Sequence, residues 1–137
     1  MQEEEITLVY HDHGYELKNY EDSSLFDYMA KNEEQFGFEM DVYWVQHGGG
    51  NPMVLLNKYS NKFKLIHLKD MEHGMVGNVS GHSDVETNVT LGTGQIDMDG
   101  LIKRAKELGI EYMFIEDESS RVVEQMPKNL EFWKSLD

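Results

Sequence analysis

Four short segments rich in β-branched and aromatic residues alternate along this chain with stretches of helical spacing, and each segment ends in ionisable side chains. The segments Ile6–His11, Phe36–Tyr43, Phe63–Leu68 and Glu111–Ile115 are predicted as strands. A first helix is predicted over Ser24–Lys31, after a cap at Asp22. A second begins at Asn51-Pro52 and sets Met53, Leu56 and Tyr59 near one face. A third starts around Asp97–Asp99, aligns Leu101, Ala105 and Leu108, and stops at Gly109. A last helix is expected from Pro127 to Leu136, with Leu130 and Trp133 inward. Strand followed by helix, four times over, indicates an α/β class with parallel strand pairing. The 137 residues read as a single domain, 1–137, long enough for a hydrophobic core. The polar stretch Met71–Gln95 interrupts the alternation with Gly74, Gly77, Asn78, Gly81 and Gly92, and reads as a functional lid or an unstructured loop.

In a parallel sheet the carboxyl ends of all strands lie on one rim, which is where α/β proteins bind ligands. The first strand brings Tyr10-His11-Asp12-His13 to that rim, with Glu16 just beyond; the second brings Phe38-Glu39-Met40-Asp41. The third brings Ile66-His67-Leu68-Lys69-Asp70, and the fourth Ile115-Glu116-Asp117-Glu118. Alternation places His11 with His13, Glu39 with Asp41, and His67 with Lys69 on common faces. If helices cover the outside, these groups point inward, which is costly unless something pairs with them. A divalent cation removes the cost, and mixed imidazole and carboxylate ligands suit Mn²⁺, Co²⁺, Zn²⁺ or, less well, Mg²⁺. The expected ligands are His67, Asp41 and Glu116, completed by His13 or His11. Any one of these alone reads as a hydrogen-bonded loop anchor; four strands delivering such groups to one rim favour the ion.

Other features narrow the function. The net charge of −14 argues against nucleic acid or anionic lipid as partner. No apolar run approaches the roughly 20 residues of a membrane span. The acidic start Met1-Gln-Glu-Glu-Glu is unlike a signal peptide, so a cytoplasmic location is expected. The chain has no Cys, which excludes disulfides and thiolate chemistry. Gly48-Gly49-Gly50 lacks the Lys and spacing of a P-loop and reads as a turn rather than a phosphate cradle. His47, His73 and His82 are expected in solvated loops. The sequons at Asn78 and Asn88 read as chance.

At the strand ends the sequence resembles the sugar phosphate isomerase/epimerase family, with its xylose-isomerase-like TIM barrel. The stretches that carry this are Val9-Tyr10-His11-Asp12-His13-Gly14-Tyr15-Glu16, Phe38-Glu39-Met40-Asp41-Val42-Tyr43-Trp44 and Leu65-Ile66-His67-Leu68-Lys69-Asp70. Leu91-Gly92-Thr93-Gly94-Gln95-Ile96-Asp97 and Phe114-Ile115-Glu116-Asp117-Glu118 continue it, so the likeness runs through nearly the whole chain. It reaches only strands five to eight, whereas a full (β/α)8 barrel has eight strands and about 250 residues. The resemblance therefore implies half of a TIM barrel, four parallel βα units, closed by a second copy in a homodimer or by a missing N-terminal half. It also implies a metal held by Asp41, His67, Glu116 and a first-strand residue. Family members isomerise or epimerise sugars, and relatives dehydrate inososes or act on 3-keto sugars. The implied chemistry is proton transfer beside a carbonyl through a metal-stabilised enediolate. Glu116 is the first choice for the proton-transferring carboxylate, with a first-strand His such as His13, or Glu16, serving the opposite face. Lys69 or His73 would stand near the developing oxyanion. Two other classes fit the same residues: a half-barrel scaffold without turnover that dimerises and still holds metal, and a sugar-binding module without chemistry.

Overall fold

A computed structural model describes residues 5–136. In chain order its elements are β1 (Val9–His11), β2 (Asn19–Tyr20), β3 (Ser23–Ser24), α1 (Leu25–Asn32), β4 (Gly37–Asp41), α2 (Val42–His47) and α3 (Pro52–Lys58). Then follow β5 (Phe63–Leu68), β6 (Asp70–Met71), β7 (Asn88–Val89), α4 (Met98–Glu107), β8 (Tyr112–Ile115) and α5 (Val122–Ser135). The main sheet runs β1-β4-β5-β8 and is parallel throughout. Each of its strands lies beside the one before it in sequence, the order of a singly wound barrel and not of a doubly wound sheet. No helix among the described residues is long and apolar enough to cross a membrane.

The sheet has two unequal faces. One carries Phe38, Met40, Ile66 and Leu68, all at most 1% exposed, against the helices. The other carries Val9, His11, Glu39, Asp41, Leu65, His67, Tyr112 and Phe114, as the registers His11 with Glu39, Glu39 with Leu65, Leu65 with Tyr112 and His67 with Phe114 require. On this second face Tyr112 and Phe114 remain exposed. Strict alternation along β5 would turn Phe63 and Leu65 to the same side. A bulge at Phe38/Glu39 prevents this, because Phe38 pairs with Phe63 while Glu39 pairs with Leu65, leaving Lys64 over. Phe63 thus stays in the core beside Phe26 and Phe38, and Leu65 turns to the open face. Gly37 lies beneath this extra residue, where a Cβ would come within 2.6 Å of the Lys64 side chain.

The four expected strands are present, with β5 at the bounds the sequence suggested and β1 shorter than expected. The second ends earlier than predicted. It stops at Asp41 because that carboxylate caps α2, accepting from the Trp44 N–H, so Val42 and Tyr43 are helical. His47, expected in a solvated loop, lies instead at the end of α2, 1% exposed, its ring stacked on Tyr43 and bonded to the Asn78 carbonyl. For α1 the cap is Ser24 and not Asp22: its hydroxyl accepts from the Asp27 N–H and donates to the Asp27 carboxylate. The helices expected to start at Asn51-Pro52 and around Asp97–Asp99 are formed, capped by the Asn51 and Asp97 side chains, and Gly109 ends the α4 region at φ 77°. The last helix starts five residues before Pro127 and carries the proline inside it. Trp133 packs against the core as expected, but Leu130, also expected inward, is 47% exposed, and the buried groups of the helix are the polar Gln125 and Asn129. Asn129 accepts from the Leu91 N–H, and Gln125 donates to the Asn88 carbonyl, Asp117 and Ser119.

These bonds tie α5 to the long polar stretch, which is anchored and not unstructured. Its ends pair as the β6–β7 ladder, and Asn88, the second sequon, is buried there. Asp70 holds the return: its carboxylate accepts from the backbone N–H groups of Met71, Gly92, Gly94 and Ile96. The Tyr43 hydroxyl ties the middle of the stretch through Thr87 and Ser83. Gly77 passes so close to His47 that a Cβ would fall 2.1 Å from its carbonyl oxygen. Asp70→Ala strands these buried donors and is expected to cost about 3 kcal/mol. Urea unfolding reads this as a lower midpoint; an unchanged midpoint contradicts the anchoring role.

Candidate metal centre

At the carboxyl rim, β4 ends in Asp41, whose two oxygens have separate tasks. Oδ1 caps α2 through the Trp44 N–H at 3.2 Å. Oδ2 is buried with no hydrogen-bond partner and faces three nitrogens: His11 Nε2 at 3.6 Å, His67 Nδ1 at 3.9 Å and Lys69 Nζ at 4.0 Å. Burial pushes the Asp41 carboxyl up to about 7, against the opposing pull of Lys69 and the Trp44 N–H. A buried carboxylate oxygen left among nitrogen groups, none of them at bonding distance, is a costly arrangement unless an ion joins them.

His67, on β5 directly across from Asp41, is oriented from behind. Its Nε2 lies 2.8 Å from Glu39 Oε1, a charge contact that leaves Nδ1 facing Asp41, His11 and Glu116. A carboxylate behind a histidine in this way fixes the ring and raises its basicity as a ligand. His67 Nδ1 lies 3.3 Å from His11 Nε2 and 3.2 Å from Glu116 Oε2. The His67 imidazole is drawn above its ordinary range by the Glu116 hydrogen bond, against its burial, and Glu116 is held down to about 2 mainly by the same bond. His11 moves the other way. Burial, then His13 and His67, lower it to about 4, so it is neutral and able to ligate near pH 7.

The donor atoms of His11, Asp41 and His67 all lie within 4.8 Å of one another. Donors about 2.1 Å from one ion stand roughly 3 to 3.5 Å apart at octahedral or tetrahedral angles. The contacts among His11, His67, Asp41 and Glu116 cluster around that spacing, so the residues present fit a divalent cation. Between the two first-strand candidates, His11 stands in the trio. The ring of His13 lies 4.5 Å from that of His11 but stacks on Tyr15 and tilts against Trp44.

The other candidate residues fall in distinct places. Glu16 is fully buried and accepts from the Tyr10 hydroxyl and the His13 N–H, so it braces the β1 exit turn and does not reach the open face. Lys69, 1% exposed, lies 2.5 Å from Glu118 Oε2 and 3.4 Å from Glu116 Oε2. Burial disfavours its charge, but Asp41, Glu118 and Glu116 more than restore it, holding the ammonium above its ordinary value. His73 and His82 are exposed in the long stretch. Two residues escaped the sequence reading as participants: Glu39, behind His67, and Glu118, on Lys69. Glu39 was legible in principle, since alternation puts it on the face of Asp41; Glu118 lies beyond β8, where strand periodicity no longer applies.

No family model and no curated protein matches the chain. Solved structures do. A sugar phosphate isomerase/epimerase from Parabacteroides distasonis is matched at 24% identity and TM-score 0.74, over 95% of this chain and 45% of that one. A xylose isomerase domain protein from Planctomyces limnophilus is matched at 26% identity and TM-score 0.63, over 82% of this chain and 40% of that one. The IolI protein, solved with a bound zinc atom, is matched at 21% identity and TM-score 0.58, over 77% of this chain and 38% of that one. This chain therefore spans less than half the length of the structures it resembles, and its four parallel strands with their helices have the fold of part of the TIM barrel found in sugar phosphate isomerase/epimerase and xylose isomerase-like proteins.

Proposed function

We propose that this chain is the metal-holding half of a sugar isomerase or epimerase barrel, working by proton transfer next to a carbonyl. The observation that carries the reading is the convergence of His11 Nε2, Asp41 Oδ2 and His67 Nδ1, with Glu116 Oε2 beside them, around a buried carboxylate oxygen without a partner. The ion, Mn²⁺, Co²⁺, Zn²⁺ or Mg²⁺, supplies a Lewis acid for the carbonyl and adjacent hydroxyl of a sugar or keto-sugar. Glu116 is ionised at neutral pH and reaches the open face with its side chain 36% exposed, so it enters as a proton acceptor. His13 serves the opposite face of the substrate carbon, and Glu16 fixes the turn that presents it. Lys69 brings a positive charge toward the oxygen where negative charge develops.

The open face asks for a partner. Tyr112 and Phe114 stand exposed on it, and the edges of β1 and β8 carry unpaired backbone groups. In our reading a second copy closes the barrel about a twofold axis, β8 of each copy beside β1 of the other; a separate N-terminal half is the other way to complete it. A cytoplasmic setting accompanies this reading. The same open face favours one rival, a half-barrel scaffold that holds metal without turnover, because a substrate pocket would be lined on one side only.

Sedimentation is expected to give twice the 15.9 kDa chain mass; a well-folded monomer rules out closure by a second copy. With Mn²⁺ added, turnover of aldoses or keto-sugars is expected to fall by about 10² or more in Glu116→Gln, and absence of turnover in the closed dimer favours the scaffold. Metal uptake should also release protons. Below about 7 the metal-free Asp41 carboxyl is protonated, and an ion must displace that proton. Affinity therefore rises with pH through about 7, where the Asp41 carboxyl loses its proton. Calorimetry in buffers of differing ionisation enthalpy is expected to show about one proton or more released per ion at pH 6 and fewer at pH 8; release that does not change with pH contradicts the assignment of Asp41 as ligand.

A further inference from the structure

The two carboxylate oxygens beside the imidazoles face a second direction as well. Asp41 Oδ2 is 3.6 Å and 3.9 Å from the histidine nitrogens on one side and 4.0 Å from Lys69 Nζ on the other. Glu116 Oε2 is 3.2 Å from His67 Nδ1 and 3.4 Å from Lys69 Nζ. Each oxygen thus stands between the imidazole side, where the proposed ion would sit, and the Lys69 ammonium, as bridging carboxylates stand between two ions about 3.5 to 4 Å apart. Glu118 Oε2, at 2.5 Å from the ammonium, completes the second pole as a set of three oxygens. The ammonium also lies over the rings of Tyr43 and Trp44, at 5.3 Å and 5.5 Å. Aromatic faces favour an organic cation on a carbon stem. Asp41, fully buried with Oδ2 unpartnered, shows that this is not merely an acidic cluster.

We propose that the Lys69 ammonium is a built-in cation filling the second pole of a two-cation carboxylate cluster, so that each chain accepts a single divalent ion, bound at His11, Asp41, His67 and Glu116. This rests on the metal reading above and adds the stoichiometry and its cause. Remove the ammonium, and Asp41, Glu116 and Glu118 form an oxygen-rich site for a second ion. If Lys69 were only a counter-ion stabilising the fold, its loss would alter unfolding and leave the ion count alone.

The test is titration of the full chain, metal-free, with Mn²⁺, followed by calorimetry and electron paramagnetic resonance. The wild type is expected to bind one ion and to keep an isolated Mn²⁺ spectrum at excess metal. Lys69→Met, which keeps the stem against the aromatic rings, is expected to bind two ions and show an exchange-coupled pair. Lys69→Arg should stay at one, and adding Glu118→Gln to Lys69→Met should return the count to one. If Lys69→Met loses its helical circular dichroism, Lys69→Gln carries the same expectation. A coupled pair in the wild type, or one ion in both wild type and the neutral variant at every excess, overturns the inference and leaves the metal reading standing. A wild type that takes up no ion overturns both.

Discussion

The division of labour within the Asp41 carboxylate is the constraint on which the rim depends. One oxygen caps α2, and that bond ends β4, starts the helix and fixes the side chain. The other is thereby held on the sheet's opposite face, buried, where no neighbour among the described residues completes its hydrogen bonding. The capping bond contributes roughly 1 kcal/mol on its own. Its larger effect is to hold a charge where water cannot reach it and where the surrounding groups, His11, His67 and Lys69, must answer it. Pairing by nitrogen alone falls short by half an ångström or more at each contact, a gap that the proposed shared ion would close.

Much of this was legible in the sequence because strand periodicity and helix-capping chemistry are local. The four β-rich segments, the Asn51-Pro52 and Asp97 starts, and the delivery of His11, Asp41, His67 and Glu116 to one edge all follow from patterns within a few residues. The parts that were not legible depend on contacts far away in sequence. Tyr43 reads as strand by composition, yet the Asp41 cap makes it helical and its hydroxyl finds Thr87, 44 residues on. His47 and Leu130 exchange the environments that composition suggests, because α2 is roofed by the long stretch and α5 meets that stretch with amides and not with leucine. Glu16 has the residue type of a proton carrier, and only the Tyr10 hydroxyl and the His13 N–H reveal it as a brace.

The long stretch shows how polar sequence becomes fixed structure without an apolar core of its own. Its many glycines and short polar residues suggested freedom, but the buried Asp70 carboxylate collects four backbone donors and Asn129 takes a fifth. The stretch is therefore part of the rim's foundation. Lys69, Asp70 and Met71 follow one another directly, so the residue that anchors the return is the neighbour of the residue that fills the second cationic pole.

The bulge at Lys64 has a consequence for how β5 is used. Below it, Phe63 faces the helices; above it, Leu65 and His67 face inward, and the one surplus residue resets the parity between the two. One strand thereby serves two opposite surfaces, packing an aromatic ring among the helices at its start and turning an imidazole to the rim cluster near its end.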